Sequence, residues 1–76
     1  MTYEVTASYN RELFELTLDG ELDKRMGRKH DHDCVYFPTL TRYLTWSYPS
    51  EELATVAMQQ LMGHPFLLNV ELVKDE

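Results

Sequence analysis

The sequence predicts a two-layer α+β domain, and three patterns carry that prediction. Residues 3–9 alternate strictly between apolar and polar side chains, the signature of a half-buried strand. Residues 14–26 repeat apolar side chains every four positions, the signature of an amphipathic helix. Residues 49–63 open on Pro-Ser-Glu-Glu and close on glycine, as a well-bounded helix does. At 76 residues there is room for one domain and one core, because a chain of this size buries only about 60% of the surface its unfolded form exposes.

The first strand places Tyr3, Val5, Ala7 and Tyr9 on one face. Asn10 then stands where a helix cap would, and Phe14, Leu18, Leu22 and Met26 recur on one stripe, with Leu13 and Leu16 beside them and Gly27 as the stop. A rival pattern overlaps it. Phe14, Leu16 and Leu18 also alternate with Glu15, Thr17 and Asp19, and Asp19-Gly20 is a hairpin-forming dipeptide. The helix is the better reading of residues 11–26, since the run of helix-forming residues outweighs the roughly 1 kcal/mol that an interior Gly20 costs.

Residues 34–37 and 40–48 are rich in β-formers, with Pro38-Thr39 between them, and predict a hairpin. In its second strand Leu44, Trp46 and Tyr48 share one face, and Tyr43, Thr45 and Ser47 the other. The helix that follows should bury Leu53, Ala54, Ala57, Met58 and Leu61, ending at Gly63 and Pro65. Phe66, Leu68, Val70 and Leu72 then alternate with Leu67, Asn69, Glu71 and Val73, a last strand before a charged tail. The order strand, helix, strand, strand, helix, strand is that of the ferredoxin-like fold, a four-stranded antiparallel sheet with both helices on one face. No linker or low-complexity stretch divides the chain, so residues 1–76 read as a single domain.

Charge narrows the range of functions. The net charge is −6, and an acidic chain repels phosphate backbones, so direct nucleic-acid binding is disfavoured while a basic protein partner fits. No apolar run approaches the ~18 residues that a membrane span needs, and the N-terminus lacks a basic stretch followed by an apolar one. The single cysteine, Cys34, excludes an internal disulfide, which predicts a reducing, cytoplasmic setting.

One segment stands apart. Residues 24–34 hold four of the 7 basic residues and two of the 3 histidines. His30, His32 and Cys34 are ligand types that suit zinc, with a His-x-His spacing that sets both imidazoles on one side of an extended chain. At about 3.4 Å per residue, however, His30 and Cys34 of a regular strand stand roughly 13 Å apart, too far to share an ion without a bend or a second chain. The solvated-loop reading of this segment is the stronger one, and no cofactor is predicted. Arg28 and Lys29, lying past the helix-closing glycine, are candidate anion-binding residues. Lys24 and Arg25 are explained by the helix dipole alone.

Catalysis is not expected. Cys34 beside His32 and Asp33 supplies the residue types for a nucleophile and base, but adjacent strand residues point to opposite faces, and a cysteine opening a strand is expected to be a small buried hydrophobe. The carboxylates of Glu12, Glu15, Asp19, Glu21, Asp23, Glu51 and Glu52 read as solvated helix faces. Known users of this layout carry signatures absent here: the glycine-aromatic motif of RNA-recognition modules is missing from residues 40–44, and Tyr9-Asn10-Arg11-Glu12 stands where heavy-metal domains have Cys-x-x-Cys.

There remains the sheet face that the helices leave open. Alternation assigns to it Glu4, Thr6, Ser8, Tyr36, Tyr43, Thr45, Leu67, Asn69, Glu71 and Val73. Tyr36, Tyr43, Leu67 and Val73 are its candidate protein-binding residues, since interface cores favour tyrosine and apolar groups. The function expected is therefore a non-enzymatic interaction module, working through this face on a protein partner or as a homodimer. The alternatives are a metal- or anion-binding protein using residues 28–34, and an acidic inhibitor that occupies a partner's nucleic-acid site.

Overall fold

The computed structural model describes residues 2–10 and 18–75. The elements follow in the predicted order: β1 (Thr2–Asn10), α1 (Leu18–Met26), β2 (His32–Tyr36), β3 (Thr41–Tyr48), α2 (Glu51–Leu61) and β4 (Asn69–Asp75). They form one antiparallel sheet in the order β2-β3-β1-β4, so the ferredoxin-like βαββαβ fold is what the chain adopts. The first part of the proposed helix, residues 11–17, lies outside the described residues, and so does most of the rival strand pattern. Within them, Asp19-Gly20 is helical, and no hairpin forms there.

β1 is central, pairing with β3 on one side and β4 on the other, with Val5 opposite both Trp46 and Leu72, and Ala7 opposite Leu44 and Val70. One face of these strands supplies Val5, Ala7, Tyr9, Leu44 and Trp46 to the core. Leu18 and Leu22 of α1 and Ala54, Ala57 and Leu61 of α2 close over them. Two alanines on the inner side of α2 let its backbone approach the sheet. Tyr3, Tyr48, Val70 and Leu72 complete the layer from the sheet side.

Local chemistry explains the helix ends. Ser50 caps α2, its Oγ accepting the Leu53 N–H at 3.3 Å, with Glu51 and Glu52 complementing the dipole in the first turn. Gly27 has φ +76°; its N–H donates to the Lys24 carbonyl and the Arg28 N–H to the Asp23 carbonyl, each at 3.2 Å. This 6→1 and 5→2 pairing is a Schellman closure, which needs a left-handed residue at that point.

Two predicted faces are corrected. Leu53 is 53% exposed, because the buried stripe of α2 runs through Ala54, Ala57 and Leu61, and Leu53 falls on its flank, about 100° from Ala54. The last strand begins at Asn69, not at Phe66. His64 folds residues 64–67 into a turn: its N–H donates to the Leu61 carbonyl at 3.2 Å and its carbonyl accepts from Leu67 at 3.3 Å. Its ring Nδ1 accepts the Phe66 N–H at 3.2 Å. Phe66 and Leu68 are consequently exposed, while Leu67 packs against the core.

The glycine inside α1 and the one that closes it should respond to alanine with opposite signs. A Cβ at Gly20 meets nothing within 4 Å, so Gly20→Ala raises stability by about 0.5–1 kcal/mol. Gly27→Ala forces a Cβ into the left-handed region and lowers stability by about 1 kcal/mol. Urea unfolding of both variants checks this, and shifts of the same sign would contradict the assigned backbone.

Candidate functional site

The segment between α1 and β2 is held by a set of polar contacts that also decides where its histidines go. Asp23, in the last turn of α1, accepts from the His30 backbone N–H at 2.8 Å, and both its oxygens lie 3.0 Å from His30 Nδ1. The His30 ring meets Trp46 edge-on, with centroids 6.3 Å apart. The Trp46 indole Nε1–H, buried in the core, donates to the Arg28 carbonyl at 3.3 Å. The Arg28 guanidinium sits over the Tyr48 ring, 5.0 Å from its centroid, and pairs with Asp31. Asp31 Oδ2 also accepts the Ser47 N–H at 2.7 Å.

The backbone makes an extra step at this point. The Asp31 N–H donates to the Thr45 carbonyl at 2.8 Å, yet Thr45 stands in register with His32. Two residues thus face one, the arrangement of a β-bulge, which re-aims side chains. As a result His30 lies on the helix side against Asp23 and Trp46, and His32 lies on the open face beside Thr45. The two imidazoles fall on opposite sides of the sheet, contrary to the expectation from His-x-His in an extended chain. Cys34 is on the open face as well, opposite Tyr43, and it is exposed rather than buried. The reason is topological: β2 is the edge of the sheet, and among the described residues no strand pairs with its outer side. His30, His32 and Cys34 do not converge, and among the described residues no cluster of three or more His, Cys, Asp or Glu side chains could hold a metal ion.

The candidate anion-binding residues are likewise separated in role. Arg28 is engaged by Asp31 and Tyr48, whereas Lys29 is exposed. Arg25 reaches α2, its Nη1 donating to the Gln60 carbonyl at 3.3 Å. A shallow depression lined by Ser50, Glu51, Glu52, Thr55 and Val56 lies at the start of α2. Its two carboxylates would repel an anion, and the Ser50 hydroxyl is already committed to the cap.

Arg42 and His64 are polar anchors that the sequence patterns did not single out. Arg42 shares the inner face of β3 with Leu44 and Trp46; its Nη1 donates to Asp19 of α1 at 2.9 Å and its Nη2 to Asp33 of β2 at 2.8 Å. Burial opposes its charge, but the hydrogen bond to Asp33 and the fields of Tyr9, Asp19 and Asp33 outweigh that, holding its pKa above the ordinary arginine value. A charged residue in register with a core-facing run was the available signal. His64, with its side chain only 3% exposed, accepts at Nδ1, so its proton is on Nε2, 3.6 Å from Glu21 Oε1.

The open face is built from alternate positions of all four strands. Its rows run Cys34, Tyr43, Ser8, Asn69 and then His32, Thr45, Thr6, Glu71. Tyr36, Tyr43 and Val73 are 48%, 38% and 45% exposed, whereas Leu67 is not on this face, since it precedes β4 and packs inward. Thr6 and Thr45 share a hydroxyl hydrogen bond at 3.2 Å, and Asn69 Nδ2 donates to Glu71 Oε1 at 2.7 Å. Glu4 and Glu71 are acidic, and none of the strand positions on this face is lysine or arginine. No helix among the described residues is long and apolar enough to cross a membrane.

Comparison with known proteins finds no matching family model, no matching curated protein and no matching solved structure.

The two histidines of the His-x-His pair should behave differently. His30→Ala removes the contacts to Asp23 and Trp46 and lowers stability by about 1–3 kcal/mol, whereas His32→Ala stays within about 0.5 kcal/mol; equal losses in a urea titration would refute the split placement. Tyr48 gives a pH test. Its hydroxyl is buried without a hydrogen-bond partner among the described residues. Burial, with the nearby Asp31, lifts its ionisation above the usual tyrosine value, against an opposing pull from Arg28. The folded state therefore keeps this proton longer than the unfolded one, and its contribution to stability, full below about pH 10, declines above it. Tyr48→Phe leaves stability at neutral pH unchanged or raised by up to about 1 kcal/mol, and it flattens the alkaline decline; an unaltered alkaline limb would count against this assignment.

Proposed function

We propose that this chain is a non-enzymatic protein-interaction module that acts through the uncovered face of its sheet, on a protein partner or on a second copy of itself. The observation that carries the reading is the open face, where Tyr36, Tyr43 and Val73 stand exposed and no helix among the described residues lies over them. Tyrosine offers a large, rigid contact surface with a polar tip, and it is enriched at interface cores where charge is depleted. The acidic remainder of the face, Glu4 and Glu71, favours a neutral or basic partner.

A non-enzymatic role is supported by the way polar groups are used. His30, Asp23, Arg28, Asp31, Arg42 and Asp19 are bound to one another or to backbone across α1, β2 and β3, which is structural work. Cys34 has His32 two residues along the same face and, among the described residues, no third group is seen orienting that imidazole, which falls short of a nucleophile–base–orienter arrangement. A single free, exposed thiol fits the reducing cytoplasm, where we place the module.

The test is to purify the untagged protein, measure its mass by sedimentation equilibrium, and recover partners with wild-type and Tyr43→Ala/Val73→Ser baits. Retention of a defined partner, or a dimer, weakened about tenfold or more by the double substitution with the thermal transition unchanged, is the expected result. Binding that ignores both substitutions, or a monomer that retains nothing, removes the reading.

A further inference from the structure

We infer that the β2 edge is a self-pairing strand, joining two copies of the chain antiparallel about Cys34 into one continuous eight-stranded sheet. The inference rests on the reading of the chain as an interaction module, and it names a second copy as partner and an edge, not a face, as the seam.

The geometry begins with which backbone groups face outward. β2 pairs with β3 as His32 with Thr45, Cys34 with Tyr43 and Tyr36 with Thr41. The hairpin closes through Leu40 in the left-handed region, φ 52°, with the Leu40 N–H on the Phe37 carbonyl at 3.2 Å. At the other end the Asp31 N–H joins the Thr45 carbonyl. Both ends set His32, Cys34 and Tyr36 as the residues that exchange hydrogen bonds with β3. The N–H and C=O groups of Asp33 and Val35 are then turned away from the sheet, and they are the groups an added strand would bond.

Two-fold symmetry selects the register. Cys34 is the middle residue of the five in β2, and pairing two copies about it sets Asp33 against Val35 of the other copy, with both pairs exchanging hydrogen bonds. On the open face, His32 meets Tyr36 of the other copy. No like charges meet across this seam, and the one formal charge in β2, Asp33, is held by Arg42 at 2.8 Å. The opposite edge is better guarded, since β4 carries Glu71 and Lys74, and charges on an edge strand oppose pairing. The second copy is thus favoured at β2. Tyr36, 48% exposed, gains cover in the pair, and the open faces of the two copies join into one surface of twice the width.

Amide hydrogen exchange of the reduced wild-type protein, followed from about 10 μM to about 1 mM to span a weak interface, tests the inference directly. Exchange at Asp33 and Val35 should slow with concentration, in step with dimer formation by sedimentation. A second reading uses the thiol. In this register the two Cys34 residues are a directly opposed pair with Cα atoms about 4.5 Å apart, within the range a disulfide spans. Diamide then takes up two electrons and two protons as two Cys34 thiols become one S–S bond. The control is Cys34→Ser/Tyr36→Cys, whose thiols would lie about 14 Å apart; wild type should cross-link at least about tenfold faster. A monomer throughout, or a dimer whose Asp33 and Val35 amides stay unprotected, overturns the edge pairing, as do equal cross-linking rates. None of these outcomes touches partner binding at Tyr43 and Val73, so the two readings fail separately.

Discussion

The arrangement on this sheet depends on the burial of one indole. Trp46 is the largest fully buried side chain, and burying a side chain of this kind contributes on the order of 2–3 kcal/mol. It can go inside only if its N–H is satisfied, since an unpaired buried donor costs about 1–3 kcal/mol. The carbonyl of Arg28 meets that need, which fixes the connection after α1 against β3. His30 is then laid on the ring edge, Asp23 is drawn to His30, and Asp31 is brought to the Ser47 N–H. The extra residue at Asp31 is what this anchoring demands of the start of β2, and the placement of His32 and Cys34 on the open face follows.

This also accounts for the fate of the basic segment. Seen as a string of letters, residues 24–34 suggest a ligand site, because cations and imidazoles are crowded together. In three dimensions the crowding is resolved by sorting: Arg25 goes to α2, Arg28 to Tyr48 and Asp31, His30 to Asp23, while Lys24, Lys29 and His32 are exposed. Arg42 does the equivalent on the inner face, bridging α1 and β2 through two carboxylates. A chain with a net charge of −6 thus uses several of its few cations as internal ties, which leaves the open face without any.

Legibility in the sequence followed the range of the interactions involved. The β1 alternation, the Ser50 cap and the Gly27 closure are local chemistry, and each was readable because one or two residues decide it. The topology was readable from element order alone. What escaped were features set by distant partners. Residues 66–68 read as strand because Phe66 and Leu68 continue the alternation of Val70 and Leu72, and the buried His64 reveals the bend. Cys34 reads as core because a cysteine that opens a strand is expected to be a small buried hydrophobe, whereas exposure is decided by β2 lying at the edge. The opposed histidines required knowledge of the bulge, which no local pattern records.

Strand parity has a consequence for how this chain can change over time. Nearly every side chain that seals the core from the sheet lies at one set of alternate positions, and the outward set, Thr6, Thr45, Tyr43 and Val73 among them, meets no helix among the described residues. The two sets are almost independent under substitution. Descent could therefore rewrite the outer surface, and with it the choice of partner, while leaving the folding problem solved, so that drift in recognition and constancy in architecture would proceed at different rates within the same strands.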